Sequence, residues 1–229
     1  MQILVIAAKE VEIKPSVEFM AAHYPTAAHI HYAYTDVGLT AATFSITRLA
    51  LTQPPDLIIQ AGIAGSFENG YQPGEVVLID NEQQADLGVI ENAQWKNIFD
   101  LQLTDENEAP YKKGLLPNPY INHFNFLGIR KVAGISVNTI STDTATITRM
   151  QQGSPAPVVE SMEGAALHFV GGQLQIPFVQ LRSLSNQVGE RDKSQWHFTQ
   201  AIQSLNAKLI ELLIHLQQHP ISFTANLPA

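Results

Sequence analysis

The sequence predicts an α/β fold, a largely parallel or mixed central β-sheet flanked by helices. Three observations predict it. Short, continuous apolar runs rich in Ile and Val recur at residues 2–8, 56–61 and 131–140, the pattern of strands covered on both faces. Stretches with apolar residues at helical spacing, above all 40–51 and 198–217, alternate with them. Carboxylates, glycines and amides gather where the apolar runs stop, and α/β sheets place ligands at the carboxyl ends of their strands.

Composition narrows the function. A chain of 229 residues with 45% apolar content can bury a sizeable core, and one domain over 1–229 is expected. A net charge of −8 and a pI of about 5.4 offer no basic footprint for nucleic acid or an anionic membrane. The absence of cysteine excludes disulfides, thiolate metal sites and a cysteine nucleophile. The first apolar run is too short for a secretory leader and has no basic segment before it. No stretch approaches the ~18 apolar residues of a membrane span. The expectation is a soluble, cytoplasmic protein.

In chain order, the strand at 2–8 is followed by Glu10 and Glu12 in the first turn of a helix. Acids there complement the helix dipole or face a ligand. Residues 29–34 alternate like a hairpin strand, with His29 and His31 on one face and no third metal ligand nearby. Residues 37–40 turn into a helix over 40–51, stopped by Gln53-Pro54-Pro55-Asp56. The strand at 56–61 runs into Gly62-Ile63-Ala64-Gly65-Ser66, read as a turn whose glycines admit a ligand close to the backbone. After a turn at 72–75, residues 76–79 form another strand. Between 80 and 126 the pattern dissolves, as in a functional flap, an interface element or a disordered loop. A strand at 131–140 and a short helix at 144–151 follow, with a breaker at 153–157. Glu160-Ser161-Met162-Glu163 then opens a helix of small apolar residues. A short strand over 177–186 ends in Arg182-Ser183-Leu184-Ser185-Asn186. Beyond a charged loop at 188–193, residues 198–217 form a long amphipathic helix. His215 and His219 sit at its C-terminal end, where cations are favoured.

Taken together, Ala-Ala-x-Glu-x-Glu at 7–12, Gly-x-Ala-Gly at 62–65, Met-Glu-Gly-Ala-Ala at 162–166 and Arg-Ser-x-Ser-Asn at 182–186 form an ordered set. The set resembles the nucleoside phosphorylase and nucleosidase superfamily over nearly the whole chain. The resemblance implies a three-layer fold with a mixed sheet between helices. By motif the nearest groups are the methylthioadenosine/S-adenosylhomocysteine nucleosidases and the futalosine hydrolases. It further implies that Glu12 activates the attacking water. Glu163, beside Met162, would bind the ribose hydroxyls, and Asn186 would meet the base. Arg182 is expected to orient Asn186 or its loop, with Ser185 supporting the same turn. Gly62, Ala64 and Gly65 would complete the substrate-binding set. No cofactor and no metal is implied. The partner is a small-molecule purine nucleoside, and the chain is expected to form a homo-oligomer, a dimer or larger.

Asn186 stands where the adenosine-type nucleosidases carry an aspartate. Adenine presents a donor at C6 and an acceptor at N7, which a protonated aspartate can match. Hypoxanthine presents acceptors at both O6 and N7, which suit the N–H groups of an amide. A site built for one pattern rejects the other, because buried polar groups are left unpaired. Asn186 therefore points to a 6-oxopurine, and the motifs look most like futalosine hydrolase. That family splits futalosine into hypoxanthine and dehypoxanthine futalosine within a menaquinone pathway. An adenosine-type nucleosidase, a purine nucleoside phosphorylase and a non-catalytic nucleoside binder remain alternatives. Phosphorolysis needs a phosphate cradle, yet Arg48 is the only arginine before position 130. Arg191, Lys193 and residues 104–126 are the candidates for the substrate's side-chain carboxylate.

Overall fold

A computed structural model of the chain describes residues 1–27, 29–153 and 155–223. Residues 28, 154 and 224–229 lie outside the described residues, the second of them inside the expected breaker. The N-terminal half builds β1 (Ile3–Ala7), α1 (Glu10–His23), β2 (Ile30–Tyr34), α2 (Leu39–Thr52), β3 (Leu57–Ser66) and β4 (Val76–Gln84). Short strands β5 (Gly88–Glu91), β6 (Gln94–Asn97) and β7 (Leu116–Pro117) follow, then β8 (Lys131–Ser136) and α3 (Thr144–Gln151). The chain continues through β9 (Val159–Ser161), α4 (Gly164–Leu174), β10 (Phe178–Gln187) and α5 (Phe198–Gln218).

The sheet is mixed and partly rolled up. Strands β2, β1, β3 and β10 lie parallel in that order. β10 then pairs antiparallel with β4, β4 parallel with β8, β8 parallel with β9, and β9 antiparallel with β3. Five strands thus close a ring, and β1 and β2 extend it as an open wing. β3 makes this possible by its length. Its first half pairs with β1, its last two residues pair with β9, and β10 follows it nearly throughout. Every strand of the ring contributes to one apolar cluster, Ala64, Val77, Ile79, Val132, Val159 and Leu184, which fills it.

The helices cover the outside. α5 turns Leu205, Leu209, Leu212 and Leu216 inward at helical spacing, and each is essentially inaccessible. Each such leucine contributes roughly 1.5–3 kcal/mol relative to an exposed one. Among the described residues no helix is long and apolar enough to cross a membrane.

Several elements differ from the sequence reading. β2 is not a hairpin strand; it pairs parallel with β1 at the sheet edge. An edge strand and a hairpin strand are half-exposed in the same alternating way, so periodicity does not separate them. Residues 62–66 are not a turn but the second half of β3, held in the ladder by β9 and β10. The strand expected over 131–140 stops at Ser136. Val159–Ser161 is a strand, and the helix after it starts only at Gly164. In the 80–126 segment β4 runs on to Gln84, an exposed hairpin (β5–β6) follows, and residues Ile121–Leu127 form a 3₁₀ helix. These pieces are too short to show a period.

Candidate active site

The strand ends converge on a cavity of about 360 Å³. Seven of the nine residues expected from the sequence line it: Glu12, Ala64, Gly65, Met162, Glu163, Ser185 and Asn186. Arg182 and Gly62 lie beneath its floor. A larger hollow of about 690 Å³ lies between the β5–β6 hairpin and α3, but none of the nine residues reaches it.

Glu12 sits in the first turn of α1. One carboxylate oxygen accepts the Lys9 N–H at 3.0 Å, and the other accepts the Ile63 N–H at 3.1 Å. The side chain therefore bridges the start of a helix and the middle of β3. Burial pushes its pKa above the ordinary value, and the Arg182 guanidinium opposes that shift. Gly62 allows this closeness: a Cβ there would lie 2.5 Å from Arg182 Nη1 and 2.9 Å from Glu12 Oε1. Asn206 of α5 was not singled out in the sequence, yet it holds the backbone of α1 at Glu12. A lone buried asparagine in an apolar helix face is the signal that could have found it.

Glu163 immediately precedes α4. Its Oε1 accepts the Gly38 N–H at 3.0 Å, and its Oε2 faces Arg182 Nη2 at 3.8 Å. Gly38 carries a φ of +96°, a conformation that costs glycine nothing. Under the start of α4 lies a buried polar network. Glu82 accepts from Gln180 at 3.0 Å and from Ser136 at 3.1 Å, and Ser136 Oγ accepts the Ala165 N–H at 2.8 Å. A Cβ on Gly164 would overlap the Glu82 carboxylate, so the Met-Glu-Gly sequence lets helix and acid meet. Complete burial raises the pKa of Glu82 to about 7 and lowers that of His168, in the same network, to about 4.

Arg182 is not bonded to Asn186, against the expectation. Its side chain is 2% exposed and runs to the Ile63 carbonyl at 3.4 Å and to Glu163. Residue 182 lies before an irregularity in β10, where the register against β3 shifts between Leu184 and Asn186. Ser185, the extra residue, does support Asn186: its hydroxyl donates to Asn186 Oδ1 at 2.8 Å. The Asn186 Nδ2 donates to the Gln187 carbonyl at 2.9 Å. The amide is thus oriented with one N–H and one oxygen lone pair remaining.

The mouth of the cavity adds Trp196, in the stretch just before the long helix, and Phe198, the first residue of that helix. The Arg191 guanidinium stacks over Trp196 at 5.6 Å, and Trp196 Nε1 donates to the Glu190 carbonyl at 3.2 Å. Of the candidates for a carboxylate subsite, Arg191 lines the cavity; Lys193 and residues 104–126 do not.

The arrangement offers one buried carboxylate in position to take a proton, a second fixed by an arginine and a backbone amide, and a donor amide beyond them. A family model described as the phosphorylase superfamily matches residues 5–217. A futalosine hydrolase from Thermus thermophilus is 28% identical, over 80% of this chain and 80% of its own length. A 5′-methylthioadenosine/S-adenosylhomocysteine nucleosidase from Maridesulfovibrio salexigens is 24% identical, over 79% and 77%. Among solved structures, a futalosine hydrolase mutant from Helicobacter pylori superposes with a TM-score of 0.76 at 17% identity, covering 93% of this chain and 99% of that one. A methylthioadenosine/S-adenosylhomocysteine nucleosidase from Neisseria meningitidis, in complex with methylthio-immucillin-A, gives 0.75 at 17% identity, with the same coverage. At that identity the likeness establishes the fold, a mixed α/β sheet between helices.

Proposed function

The chain belongs to the phosphorylase superfamily, and from that premise we propose that it is a nucleosidase that hydrolyses futalosine to hypoxanthine and dehypoxanthine futalosine, a step of menaquinone biosynthesis. The observation that carries the choice of base is the orientation of Asn186. With Ser185 donating to Oδ1 and one Nδ2 hydrogen given to Gln187, the amide is held with its remaining N–H free to meet an acceptor. Hypoxanthine offers two acceptors on that edge, O6 and N7. The relatives include futalosine hydrolases and methylthioadenosine/S-adenosylhomocysteine nucleosidases alike, so the identity of residue 186 decides between them in this reading.

In the proposed mechanism the C1′–N9 bond breaks as the ribosyl carbon takes on cationic character. Glu12 accepts a proton from water while the water oxygen bonds to C1′, a role typically worth ~10²–10⁴-fold. Its two backbone hydrogen bonds orient the carboxylate, and its raised pKa makes it a stronger base. Glu163 accepts from the ribose 2′- and 3′-hydroxyls, and its charge lies close to the developing cation. Arg182 and the Gly38 N–H hold Glu163 in place. Asn186 donates a hydrogen bond to the departing purine, where negative charge develops; an amide gives up no proton, so the purine anion takes its proton from water or another acid. Met162 packs against the sugar. Arg191, with Trp196 beside it, pairs with the substrate's aryl carboxylate.

Incubation with futalosine, inosine and methylthioadenosine, with and without phosphate, tests the reading by chromatography of the free base. Hypoxanthine from futalosine in phosphate-free buffer is expected. Dependence on phosphate would make the enzyme a phosphorylase, and adenine from methylthioadenosine as the main product would defeat the argument from Asn186.

A further inference from the structure

Gly65 is paired on one side with Asn186 and on the other with Glu160. Residues paired across a sheet project to the same face, and adjacent strands lie about 4.8 Å apart. Glu160 and Asn186 therefore stand roughly 10 Å apart, backbone to backbone, on either side of a residue with no side chain. A Cβ on Gly65 would lie 3.0 Å from Val188 Cγ2 and 3.4 Å from Asn186 Nδ2, so the glycine lets Val188 and the amide approach this backbone closely, with Glu160 on its other side. Both residues line the cavity.

The chemistry of Glu160 is unusual for its position. The residue is 7% exposed. One carboxylate oxygen accepts the Ser141 N–H at 3.3 Å; the other is buried and has no partner among the described residues. No cation pairs with it among them, and the charged group nearest enough to act on it is another acid, Asp86. The Ser141 hydroxyl lies close enough to the carboxylate to stabilise its charge, and in this geometry donates to Met150 Sδ at 3.0 Å. A buried carboxylate oxygen without a donor is costly to the fold, unless a ligand brings one.

A 6-oxopurine brings one. Its N1–H lies next to O6, on the side of the ring away from N7. With the one free Asn186 N–H donating to O6 or N7, N1–H is directed toward the Glu160 side of Gly65. Adenine presents a lone pair at N1, which a carboxylate repels. We propose that Glu160 accepts the N1–H of the bound 6-oxopurine, making it a second base-reading residue opposite Asn186. The inference rests on the 6-oxopurine reading above and adds to it a group that recognises a different atom of the ring.

Calorimetric titration of the full chain with hypoxanthine, adenine and 1-methylhypoxanthine tests it, on the unaltered protein and on Glu160→Gln. The unaltered protein should bind hypoxanthine more tightly than either other base. Glu160→Gln should weaken hypoxanthine about 10–100-fold, the worth of a hydrogen bond to a charged group, while adenine binds as before or more tightly. Equal weakening of both bases would mean that Glu160 only supports the fold, and would overturn the proposal. Should the variant not fold, the unaltered protein decides: equal affinity for hypoxanthine and 1-methylhypoxanthine overturns it, and a loss of tenfold or more on methylation supports it. Preference of the unaltered protein for adenine would overturn the 6-oxopurine reading, and Glu160's role with it. Preference for hypoxanthine with an unchanged hypoxanthine-to-adenine ratio in the variant overturns Glu160's role alone.

Discussion

Asn206 and Glu12, far apart in sequence, are joined through the backbone of α1. The Asn206 Nδ2 donates to the Glu12 carbonyl at 2.8 Å, and its Oδ1 accepts the Ser16 N–H at 2.9 Å. Those two backbone groups are the i and i+4 partners of an ordinary helix turn. Pro15 lies within this turn. The amide also donates to the Ile202 carbonyl and accepts from the Ser16 hydroxyl, so its full hydrogen-bonding capacity is used. Asn206→Leu should therefore cost about 2–4 kcal/mol, since several buried polar groups lose their partner. It should also lower kcat more than it raises KM, because Glu12 moves. Urea unfolding with steady-state kinetics checks both; unchanged stability would refute the structural assignment.

The Gly62–Arg182 contact gives a second test. Gly62→Ala forces the guanidinium or the Glu12 carboxylate away from β3, an overpacking that typically costs about 1–3 kcal/mol. Turnover should fall at least tenfold, with the Tm lowered. A variant of normal activity would show that Arg182 need not lie against this backbone.

Glu12→Gln should lower kcat by about 100-fold or more, as for loss of a general base, with hypoxanthine affinity little changed. In the unaltered enzyme the acid limb of kcat/KM should fall with a midpoint above the ordinary carboxylate value of 4.5, because burial raises the Glu12 pKa and the base works only when ionised. A near-normal rate in the variant would remove Glu12 from its role.

Asn186→Asp exchanges the amide for a group that can accept from a 6-amino substituent. The ratio of methylthioadenosine to futalosine cleavage should rise by about tenfold or more. Competition assays with both substrates measure it, and a constant ratio would show that another residue selects the base.

Glu82 and His168 make stability depend on pH in opposite directions. The Glu82 pKa is raised from 4.5 to about 7, so the native state holds the proton more tightly than the unfolded chain. Its contribution is fully present below 4.5 and is lost as pH rises through about 7. The His168 pKa is lowered from 6.5 to about 4, so its contribution is present above 6.5 and is lost as pH falls through about 4. Glu82→Gln keeps a neutral group in place. Its stability relative to the unaltered protein should rise by up to about 3 kcal/mol between pH 5 and 8. The variant should also show the acid lability of His168 without compensation. Unfolding free energies at the two pH values test this, and a difference independent of pH would exclude Glu82 as the titrating group.

The parts of the molecule legible in the sequence are those where a periodic run stops at a chemically distinctive residue. Glu12, Glu163 and Asn186 stand where such runs stop, and the family resemblance assigned their roles; the fold class followed from the alternation of runs. What stayed hidden depends on contacts between distant segments. Residues 62–66 read as a turn because two glycines suggest one; only pairing with β9 and β10 keeps them extended. Arg182 was assigned to Asn186 or its loop, whereas the strand directs it to Glu163 and the Ile63 carbonyl. Gly38 meets Glu163 through a backbone N–H, which leaves no trace in residue type. Trp196 lay outside any periodic run and Phe198 only opened the long helix, so neither was marked as a cavity residue.

The ring of five strands also limits how such a site can change. An edge strand of an open sheet can slip or tilt at the cost of one ladder, but each ring strand is bonded to at least two neighbours, and a shift in it disturbs all of them. Ala64, Gly65, Glu160 and Asn186 all belong to ring strands, so their spacing works as a fixed gauge for the width of a base. The mouth at Arg191, Trp196 and Phe198 lies outside the ring. New substrates would therefore be gained by altering what the mouth grips, while the choice of purine changes only by exchanging side chains in place.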